Sequence, residues 1–251
     1  MKTCLAIDVG NTSTTLALVC DGRASAVHPV RGGIEDLPAT ERALRAILKA
    51  GRPDGAALSS VVPAVNRRWI KLVRSMLGAE PLVISNAVQL SVRVDYPRPE
   101  TIGADRLANA CGAVFKYGAP VIVADFGTAL TFDVINADSA YIGGVIAPGL
   151  PLMTDYLADR TALLPLISPK GRCERVGRST EGAMRIGARI GYRGMVREIT
   201  AYLLEGVRNE HTALCATGGF AGWVLKGGRM PYTVDPDLTL TGIGVIYDRN
   251  A

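Results

Sequence analysis

The chain has 251 residues, 48% apolar and 20% charged, a balance typical of a globular protein and not of a disordered one. Its apolar stretches fall short of the roughly 18 residues that cross a bilayer, and Asp8 interrupts the first one, so we expect no membrane span, no signal peptide and a cytoplasmic location. The net charge of +5 fits an anionic small molecule as well as nucleic acid, while two histidines and five scattered cysteines argue against a zinc site, a histidine metal centre or a Ser-His-Asp triad.

Strands open the first half of the chain. Residues 3–8 and 12–20 are apolar, and Asp21-Gly22 is a typical two-residue hairpin turn. Cys4 and Cys20 lie in these strands, where we expect small buried side chains. The other predicted elements of this half are strands at 24–30, 55–63 and 81–84 and helices at 37–50 and 66–77.

The pattern of the first strand returns in the second half. The sequence VIVADFGTALTFDVI, residues 121–135, is again an apolar strand that ends in Asp-x-Gly and continues into another strand. Asp125 follows Asp8 by 117 residues, and small polar residues follow both acids. Such self-similarity predicts two related α/β halves, at residues 1–118 and 119–251, with a cleft between them.

Each Asp-x-Gly turn could bind part of a nucleoside triphosphate. Backbone N–H groups and hydroxyls at a tight turn suit phosphate oxygens, and carboxylates suit Mg²⁺, which prefers oxygen ligands. For a single copy, a β-turn whose acid bonds local N–H groups is the better explanation. Two copies, each after an apolar strand, favour the nucleotide hypothesis.

A third acid, Asp105, stands where the apolar spacing of residues 107–115 predicts the start of a helix. It could be a general base beside a substrate anion that Arg106 holds. It could also be only a cap or a partner of the helix dipole. Residue type alone favours the cap.

The segment STEGAMRIGARIGYRGMVREI predicts a long helix opened by a capping box of Ser179 or Thr180 with Glu181. Arginines recur every four residues along this helix and form one row, Arg185, Arg189, Arg193 and Arg197. We expect a solvated basic face, with a subunit contact or an anion-binding surface as alternatives. The glycines of ATGGFAGWV and YIGGVIAPGL fit either close packing or the approach of backbone to a ligand.

The sequence contains no P-loop, no GxGxxG dinucleotide motif and no protein-kinase catalytic loop. Instead, DVGNT, GADR, DFGTALTFD, GGVIAPGL, ATGGFA and DPDLTLTGIGVIYDRN occur in this order, nearly end to end. Together they resemble the motifs of type III pantothenate kinases, in the superfamily of acetate and sugar kinases, actin and heat-shock ATPases. The resemblance implies an α/β fold of duplicated actin-like (ribonuclease H-like) halves with a nucleotide cleft between them.

The resemblance also implies transfer of the ATP γ-phosphoryl group to pantothenate, the first step of coenzyme A biosynthesis. It implies Mg²⁺, a monovalent cation (K⁺ or NH₄⁺) bound by Asp125, Asp105 as the catalytic base, and a homodimer. The implied ATP contacts are Asp8, Val9, Gly10, Asn11, Thr12, Ser13, Thr14, Thr15 and Thr128. The implied pantothenate contacts are Tyr96, Gly103, Ala104, Asp105 and Arg106, with Thr180 reaching the substrate of the partner subunit.

Two positions depart from the family pattern, because Thr15 and Leu163 stand where many relatives carry a basic residue. Two other functions are open alternatives: a non-catalytic relative that acts as a regulatory accessory protein, and a kinase of the same architecture for another small hydroxylated acid. The complete set of Asp8, Asp105 and Asp125 favours a pantothenate kinase, with neither nucleic acid nor membrane as partner.

Overall fold

The computed structural model describes residues 2–207, 211–226 and 230–251. The strands are β1 (Thr3–Val9), β2 (Ser13–Cys20), β3 (Arg23–Arg31), β4 (Gly55–Ser60), β5 (Leu82–Val83), β6 (Arg93–Val94), β7 (Val121–Phe126), β8 (Ala129–Ile135), β9 (Ala140–Pro148), β10 (Ala213–Thr217) and β11 (Thr233–Val234). The helices are α1 (Leu37–Ala50), α2 (Pro63–Leu77), α3 (Ala104–Tyr117), α4 (Leu150–Arg160), α5 (Thr180–Ile186), α6 (Tyr192–Val207), α7 (Ala221–Lys226) and α8 (Leu238–Asn250). Short 3₁₀ turns occupy Gly33–Glu35 and Pro99–Thr101, and a π-helical turn occupies Gly187–Gly191.

The chain folds into two compact units, each of which combines separate stretches of the sequence. The first contains residues 2–121, 135–143 and 237–251, and the second contains the described part of residues 122–134 and 144–236. The C-terminal helix α8 therefore belongs to the same unit as the first strands. The predicted halves at residues 1–118 and 119–251 describe a repeat in the sequence, whereas the two units describe which residues pack together. The division into those halves therefore stays a prediction.

The first unit is built on a sheet with the strand order β3-β2-β1-β4-β5. β1, β2 and β3 are antiparallel neighbours, and the predicted hairpin is confirmed: Asp21 and Gly22 have φ angles of 50° and 66°, as a type I′ turn requires. β4 runs parallel to β1. Because parallel strands end at the same edge of a sheet, Asp8 near the end of β1 and Ser59 near the end of β4 are neighbours at that edge.

Helix α1 covers one face of this sheet. It begins after Asp36, whose carboxylate accepts a hydrogen bond from the Ala39 N–H at 3.1 Å, and it ends before Gly51, as predicted. Its buried Leu44 and Ile47 pack into a core with apolar residues of β1, β2, β4 and α2. Burying these side chains supplies the main stabilisation of the unit.

Helices α3 and α8 pack against each other without side chains between them. A Cβ atom on Gly112 of α3 would lie 2.6 Å from the carbonyl oxygen of Leu238, and one on Gly242 of α8 would overlap the backbone of Ala108. Glycine at both positions permits this approach. Because α3 is anchored in this way, its first turn, which carries Asp105, has a fixed position.

In the second unit, β10 lies between β11 and β7, and β8 and β9 follow β7. The first residues of β9, Ala140 and Tyr141, belong to the first unit and pair in parallel with Arg93 and Val94 of β6. The core of the second unit includes three large aromatic side chains that are fully buried: Phe126, Phe132 and Tyr192.

The predicted long helix forms without a gap in helical backbone, and it contains a π-helical turn between α5 and α6. Ser179 caps it, because its hydroxyl accepts a hydrogen bond from the Gly182 N–H at 3.1 Å. Glu181 does not complete a capping box and instead pairs with Arg185 at 2.7 Å. The N-cap half of the prediction is thus confirmed and the reciprocal half is wrong.

Two predictions about the strands need correction. Cys4 is buried as predicted, but Cys20 is exposed because it is the last residue of β2, beside the hairpin turn. The strand predicted at 81–84 is reduced to Leu82–Val83. Within the described part of the chain, no helix combines the length and apolar character of a membrane span.

Candidate active site

The first Asp-x-Gly turn joins β1 to β2 at the edge of the sheet in the first unit. The Gly10 N–H donates a hydrogen bond to the Ser13 carbonyl oxygen at 3.0 Å and closes the turn. Asp8 is half-buried, and its Oδ1 accepts a hydrogen bond from the Ser59 hydroxyl at 3.2 Å. Residues 11–13 are exposed. The turn therefore presents an amide, hydroxyls and a carboxylate on one surface.

The remaining predicted ATP contacts of this stretch differ in what they can offer a ligand. Val9 and Thr14 are buried, with 4% and 1% of their surface exposed, and the Thr14 hydroxyl lies against Gly33. Thr15 is half-buried and pairs with Asp8 across the β1–β2 ladder. Val9 and Thr14 can thus reach a nucleotide only through their main chain.

Asp105 lies at the same end of the first unit as this turn. A Cβ atom on Gly103 would lie 2.5 Å from Asp105 Oδ1 and 3.5 Å from Val61, so Gly103 fits between them without a side chain. The Val61 N–H in turn donates a hydrogen bond to the Val9 carbonyl oxygen at 3.1 Å. The structure therefore brings the first turn of α3 next to the strand end that carries Asp8.

Asp105 contacts the first turn of α3 without being its N-cap. Gly103 occupies the N-cap position, and Asp105 Oδ1 accepts a hydrogen bond from the first-turn N–H of Arg106 at 2.8 Å. Burial raises the pKa of Asp105 above its usual range, although that hydrogen bond and the Arg106 charge oppose the shift. A carboxylate with a raised pKa is suited to accept a proton.

Tyr96 and Arg106, both predicted to contact the substrate, meet at a third residue, Tyr141. The guanidinium carbon of Arg106 lies 5.9 Å from the centroid of the Tyr141 ring. The ring of Tyr96 packs edge-on against the same ring, with centroids 6.2 Å apart and an interplanar angle of 74°. Sequence reasoning missed Tyr141, whose only signal was an aromatic residue beside the glycines of YIGGVIAPGL.

The second Asp-x-Gly turn joins β7 to β8 in the second unit and is also closed by the amide of its glycine. The Gly127 N–H donates a hydrogen bond to the Ala129 carbonyl oxygen at 3.0 Å, so this turn is one residue shorter than the first. A Cβ atom on Gly149 would overlap the carbonyl group of Thr128. One on Gly218, which has a φ of 90°, would lie 2.6 Å from Asp125 Oδ1. Backbone from two other loops therefore encloses this turn.

A cavity of about 430 Å³ also lies in the second unit. Apolar side chains line it together with Thr154, Asp155 and Ser168. One of its walls is Phe220, whose N–H donates a hydrogen bond to the Phe126 carbonyl oxygen at 3.3 Å. The cavity thus borders a loop that is tied to the strand carrying Asp125.

The arginine row is not the solvated face that we predicted. Arg189 donates a hydrogen bond of 2.6 Å to a carbonyl oxygen of the segment before α5, and Arg193 donates to the Trp223 and Val224 carbonyls at 3.1 and 2.9 Å. Both guanidinium groups lie 5.5 Å from the centroid of the Trp223 ring. Of the four arginines, only Arg197 is exposed. Most of the row therefore holds neighbouring backbone in place.

The predicted site residues fall into two groups. The first unit contains Asp8 to Thr15, Tyr96, Gly103, Ala104, Asp105 and Arg106, and the second contains Asp125, Thr128 and Thr180. Thr180 is the exposed first residue of α5. Across residues 2–207, 211–226 and 230–251, no group of three or more His, Cys, Asp or Glu side chains is arranged to hold a metal ion.

The chain is similar to type III pantothenate kinases along its length. The model of that family matches residues 4–202. A type III pantothenate kinase from Akkermansia muciniphila is 44% identical over 251 residues, which cover 99% of either chain.

Solved structures with much lower identity show the same fold. A candidate transcriptional activator of the Baf family from Campylobacter jejuni aligns over 98% of both chains with a TM-score of 0.63 at 16% identity. The activator of 2-hydroxyisocaproyl-CoA dehydratase from Clostridium difficile, with bound ADPNP, covers 98% of this chain and 93% of its own with a TM-score of 0.54 at 12% identity. These similarities and the two mixed sheets confirm the predicted α/β fold of duplicated actin-like halves.

Proposed function

The chain belongs to the type III pantothenate kinase family, and we propose that Asp105 is the base of the family's reaction in this protein. The enzyme transfers the γ-phosphoryl group of ATP to the hydroxyl of pantothenate and forms 4′-phosphopantothenate, the first step of coenzyme A biosynthesis. A regulatory accessory role is not favoured, because the curated relatives that match nearly the whole chain are kinases.

The half-buried carboxylate of Asp105 is the observation that supports this mechanism. Burial raises its pKa, so the ionised group accepts a proton more readily than an exposed aspartate does. The acceptor hydroxyl oxygen forms a bond to the γ-phosphorus while the bond from that phosphorus to the ADP oxygen breaks. Asp105 takes the hydroxyl proton, which leaves a neutral carboxyl group beside Arg106.

We assign the phosphates of ATP to the Asp-x-Gly turns. The donors of the first turn fit this role, since exposed hydroxyls and main-chain amides stand beside the Asp8 carboxylate. Mg²⁺ carried by the nucleotide would neutralise phosphate charge, and Asp8 would hold it directly or through water. The proposed ATP contacts are Asp8, Val9, Gly10, Asn11, Thr12, Ser13, Thr14, Thr15 and Thr128.

Asp125 suits a monovalent cation, K⁺ or NH₄⁺. The single carboxylate of Asp125 carries one negative charge, which matches one positive charge. Because Gly218 has no Cβ atom, its backbone lies close to Asp125 Oδ1. The residues present therefore fit such an ion, and the nucleoside of ATP would occupy the neighbouring cavity beside Phe220.

The proposed pantothenate contacts are Tyr96, Gly103, Ala104, Asp105 and Arg106. The planar guanidinium of Arg106 can bind the pantothenate carboxylate through two parallel hydrogen bonds. In a cytoplasmic homodimer, the exposed Thr180 of one protomer would reach the pantothenate bound by its partner. On this proposal the dimer is a condition of activity.

An ADP-release assay with pantothenate, pantetheine, acetate and glucose tests the substrate and the cation. We expect turnover with pantothenate that requires Mg²⁺ and rises with K⁺ or NH₄⁺ at constant ionic strength. ATP hydrolysis without an acceptor serves as the background. Turnover with acetate or glucose but not with pantothenate would refute the assignment of pantothenate as the substrate.

Subunit mixing tests the dimer. Asp105→Asn and Thr180→Ala should each be nearly inactive alone, because each lacks one part of every site. Co-expression produces mixed dimers in which one site keeps Asp105 and receives an intact Thr180 from the partner. We expect recovery of about a quarter of wild-type activity, since half of randomly formed dimers are mixed. No recovery in isolated mixed dimers would show that Thr180 does not act across the interface.

A further inference from the structure

Tyr141 has no role in the mechanism described so far, although it touches two of the proposed substrate contacts. It is 1% exposed and stands at the start of β9. The main chain fixes it, because the Asp95 N–H donates a hydrogen bond to the Tyr141 carbonyl oxygen at 2.9 Å and Val94 is its partner in the parallel ladder. The position of the ring therefore follows from the sheet and does not depend on a ligand.

The ring of Tyr141 is a platform for Arg106. An arginine side chain has several rotatable bonds, and fixing it for bidentate binding costs conformational entropy. The aromatic face at 5.9 Å holds the guanidinium before the substrate arrives. The conformational entropy of the Arg106 side chain is then lost on folding and not on binding, so the affinity for an anionic group increases.

The same ring also supports Tyr96. The edge-on contact at 6.2 Å fixes one side of the Tyr96 ring, and Gly143 lies against another part of it. A Cβ atom on Gly143 would lie 3.4 Å from Tyr96 Cε2, and its φ of 126° is unfavourable for any other residue. Tyr96 thus has a defined place although 38% of its surface is exposed.

We propose that Tyr141 is a positioning residue that orients Arg106 and Tyr96 and thereby sets the preference of the enzyme for an acceptor with a carboxylate. The inference rests on the proposed function, which assigns Arg106 to the pantothenate carboxylate. It predicts that an apolar residue at position 141 weakens recognition of the acid much more than recognition of a neutral analogue, since only the acid uses Arg106.

The experiment compares Tyr141→Leu with Tyr141→Phe on pantothenate and on panthenol, the alcohol that lacks the carboxylate. For Tyr141→Leu we expect the KM for pantothenate to rise about tenfold, within the range of one cation–π contact, while kcat changes less than about twofold. The KM for panthenol should rise much less, because panthenol has no carboxylate for Arg106 to bind. Tyr141→Phe keeps the aromatic face and should keep the wild-type ratio of the two KM values.

Tyr247→Leu is the matched control, because Tyr247 is another buried tyrosine of the same unit, on α8. It should lower the Tm without changing the ratio of the two KM values. If Tyr141→Leu does not fold, Tyr141→Met replaces it, since methionine fills irregular space. An equal rise of both KM values, or no rise, in the folded variant would overturn the inference.

Arg106→Gln separates the inference from the proposed function. If it removes the preference for pantothenate over panthenol and Tyr141→Leu does not, only the positioning role is wrong. If it leaves the preference unchanged, the assignment of Arg106 to the carboxylate fails and the positioning role fails with it.

Discussion

In both Asp-x-Gly turns the amide of the glycine closes the turn, but the surroundings of the two turns differ. In the first, the amide of Gly10 closes the turn, and residues 11–13 are exposed. In the second, the amide of Gly127 closes the turn, but the backbone at Gly149 and Gly218 packs closely against it. The first turn can therefore adjust to a ligand, whereas the second is fixed before any ligand binds.

The difference in surroundings indicates that two copies of the Asp-x-Gly motif can have different roles. An open turn with several hydroxyls suits phosphate oxygens, whose positions change during transfer. A rigid turn with one carboxylate suits an ion that stays in place. The same strand-turn-strand motif occurs twice, and on the proposed assignment the loops around each copy give the two turns different functions.

We expect the largest difference between the two turns when the aspartate of each is replaced, because the two replacements should affect turnover differently. We expect Asp8→Asn to lower kcat about 100-fold, because it removes the carboxylate that would hold the Mg²⁺ ion, and this ion neutralises the charge of the reacting phosphates. Asp125→Asn should mainly abolish the activation by K⁺ and raise the KM for ATP. Steady-state kinetics with and without K⁺ measures both effects. Equal responses of the two variants to K⁺ would contradict the separate roles.

The glycines around the second turn should matter most for stability. Gly218→Ala would place a Cβ atom 2.6 Å from Asp125 Oδ1 and from the Phe126 backbone at a φ of 90°, so we expect a loss of about 3 kcal/mol in the free energy of unfolding. Gly219→Ala is the control, because nothing lies within 4 Å of its Cβ position, and it should cost less than about 0.5 kcal/mol. Urea unfolding measures the free energy of unfolding of both variants. Similar losses in the two would refute the claim that backbone encloses the second turn.

The first turn should tolerate the corresponding change. A Cβ atom on Gly10 would lie 3.2 Å from the Ser13 carbonyl oxygen, a contact that an exposed turn relieves by a small shift. Gly10→Ala should therefore cost about 1 kcal/mol or less, and raise the KM for ATP more than it lowers the Tm. A loss as large as that of Gly218→Ala would show that the first turn is as rigid as the second.

The sequence predicted the elements whose signals are local. Asp21-Gly22 specified its turn, apolar spacing from Leu37 and the glycine at position 51 specified α1, and the two Asp-x-Gly turns revealed the repeated motif. The position of Asp105 at the start of α3 was also predicted. Its raised pKa was not, because burial depends on residues distant in sequence.

Features that depend on tertiary contacts were missed. The arginines from Arg185 to Arg197 have the spacing of a solvated face, yet most of them donate to backbone carbonyls that only the folded chain brings near. No sequence motif pointed to Tyr141, because its proposed role depends on its contacts with Tyr96 and Arg106, which lie on other elements. The π-helical turn at Gly187–Gly191 likewise left no periodic signal.

The raised pKa of Asp105 links its chemistry to stability. The carboxyl binds its proton more tightly in the native chain than in the unfolded chain, so ionisation costs stability as the pH rises through the raised pKa. Asp105→Asn removes this cost, so the variant should gain stability relative to the wild type as the pH rises from the ordinary aspartate pKa through the raised one, and it should keep that gain at higher pH. Denaturant unfolding at several pH values measures the difference.

The turnover of Asp105→Asn tests the central claim most directly. We compare it with Glu100→Gln, which neutralises an exposed acid on the 3₁₀ turn just before α3. Removal of a general base should lower kcat by about 1,000-fold with ATP binding largely intact, and the control should keep full activity. A folded Asp105→Asn enzyme that turns over at the wild-type rate would contradict the assignment of Asp105 as the base.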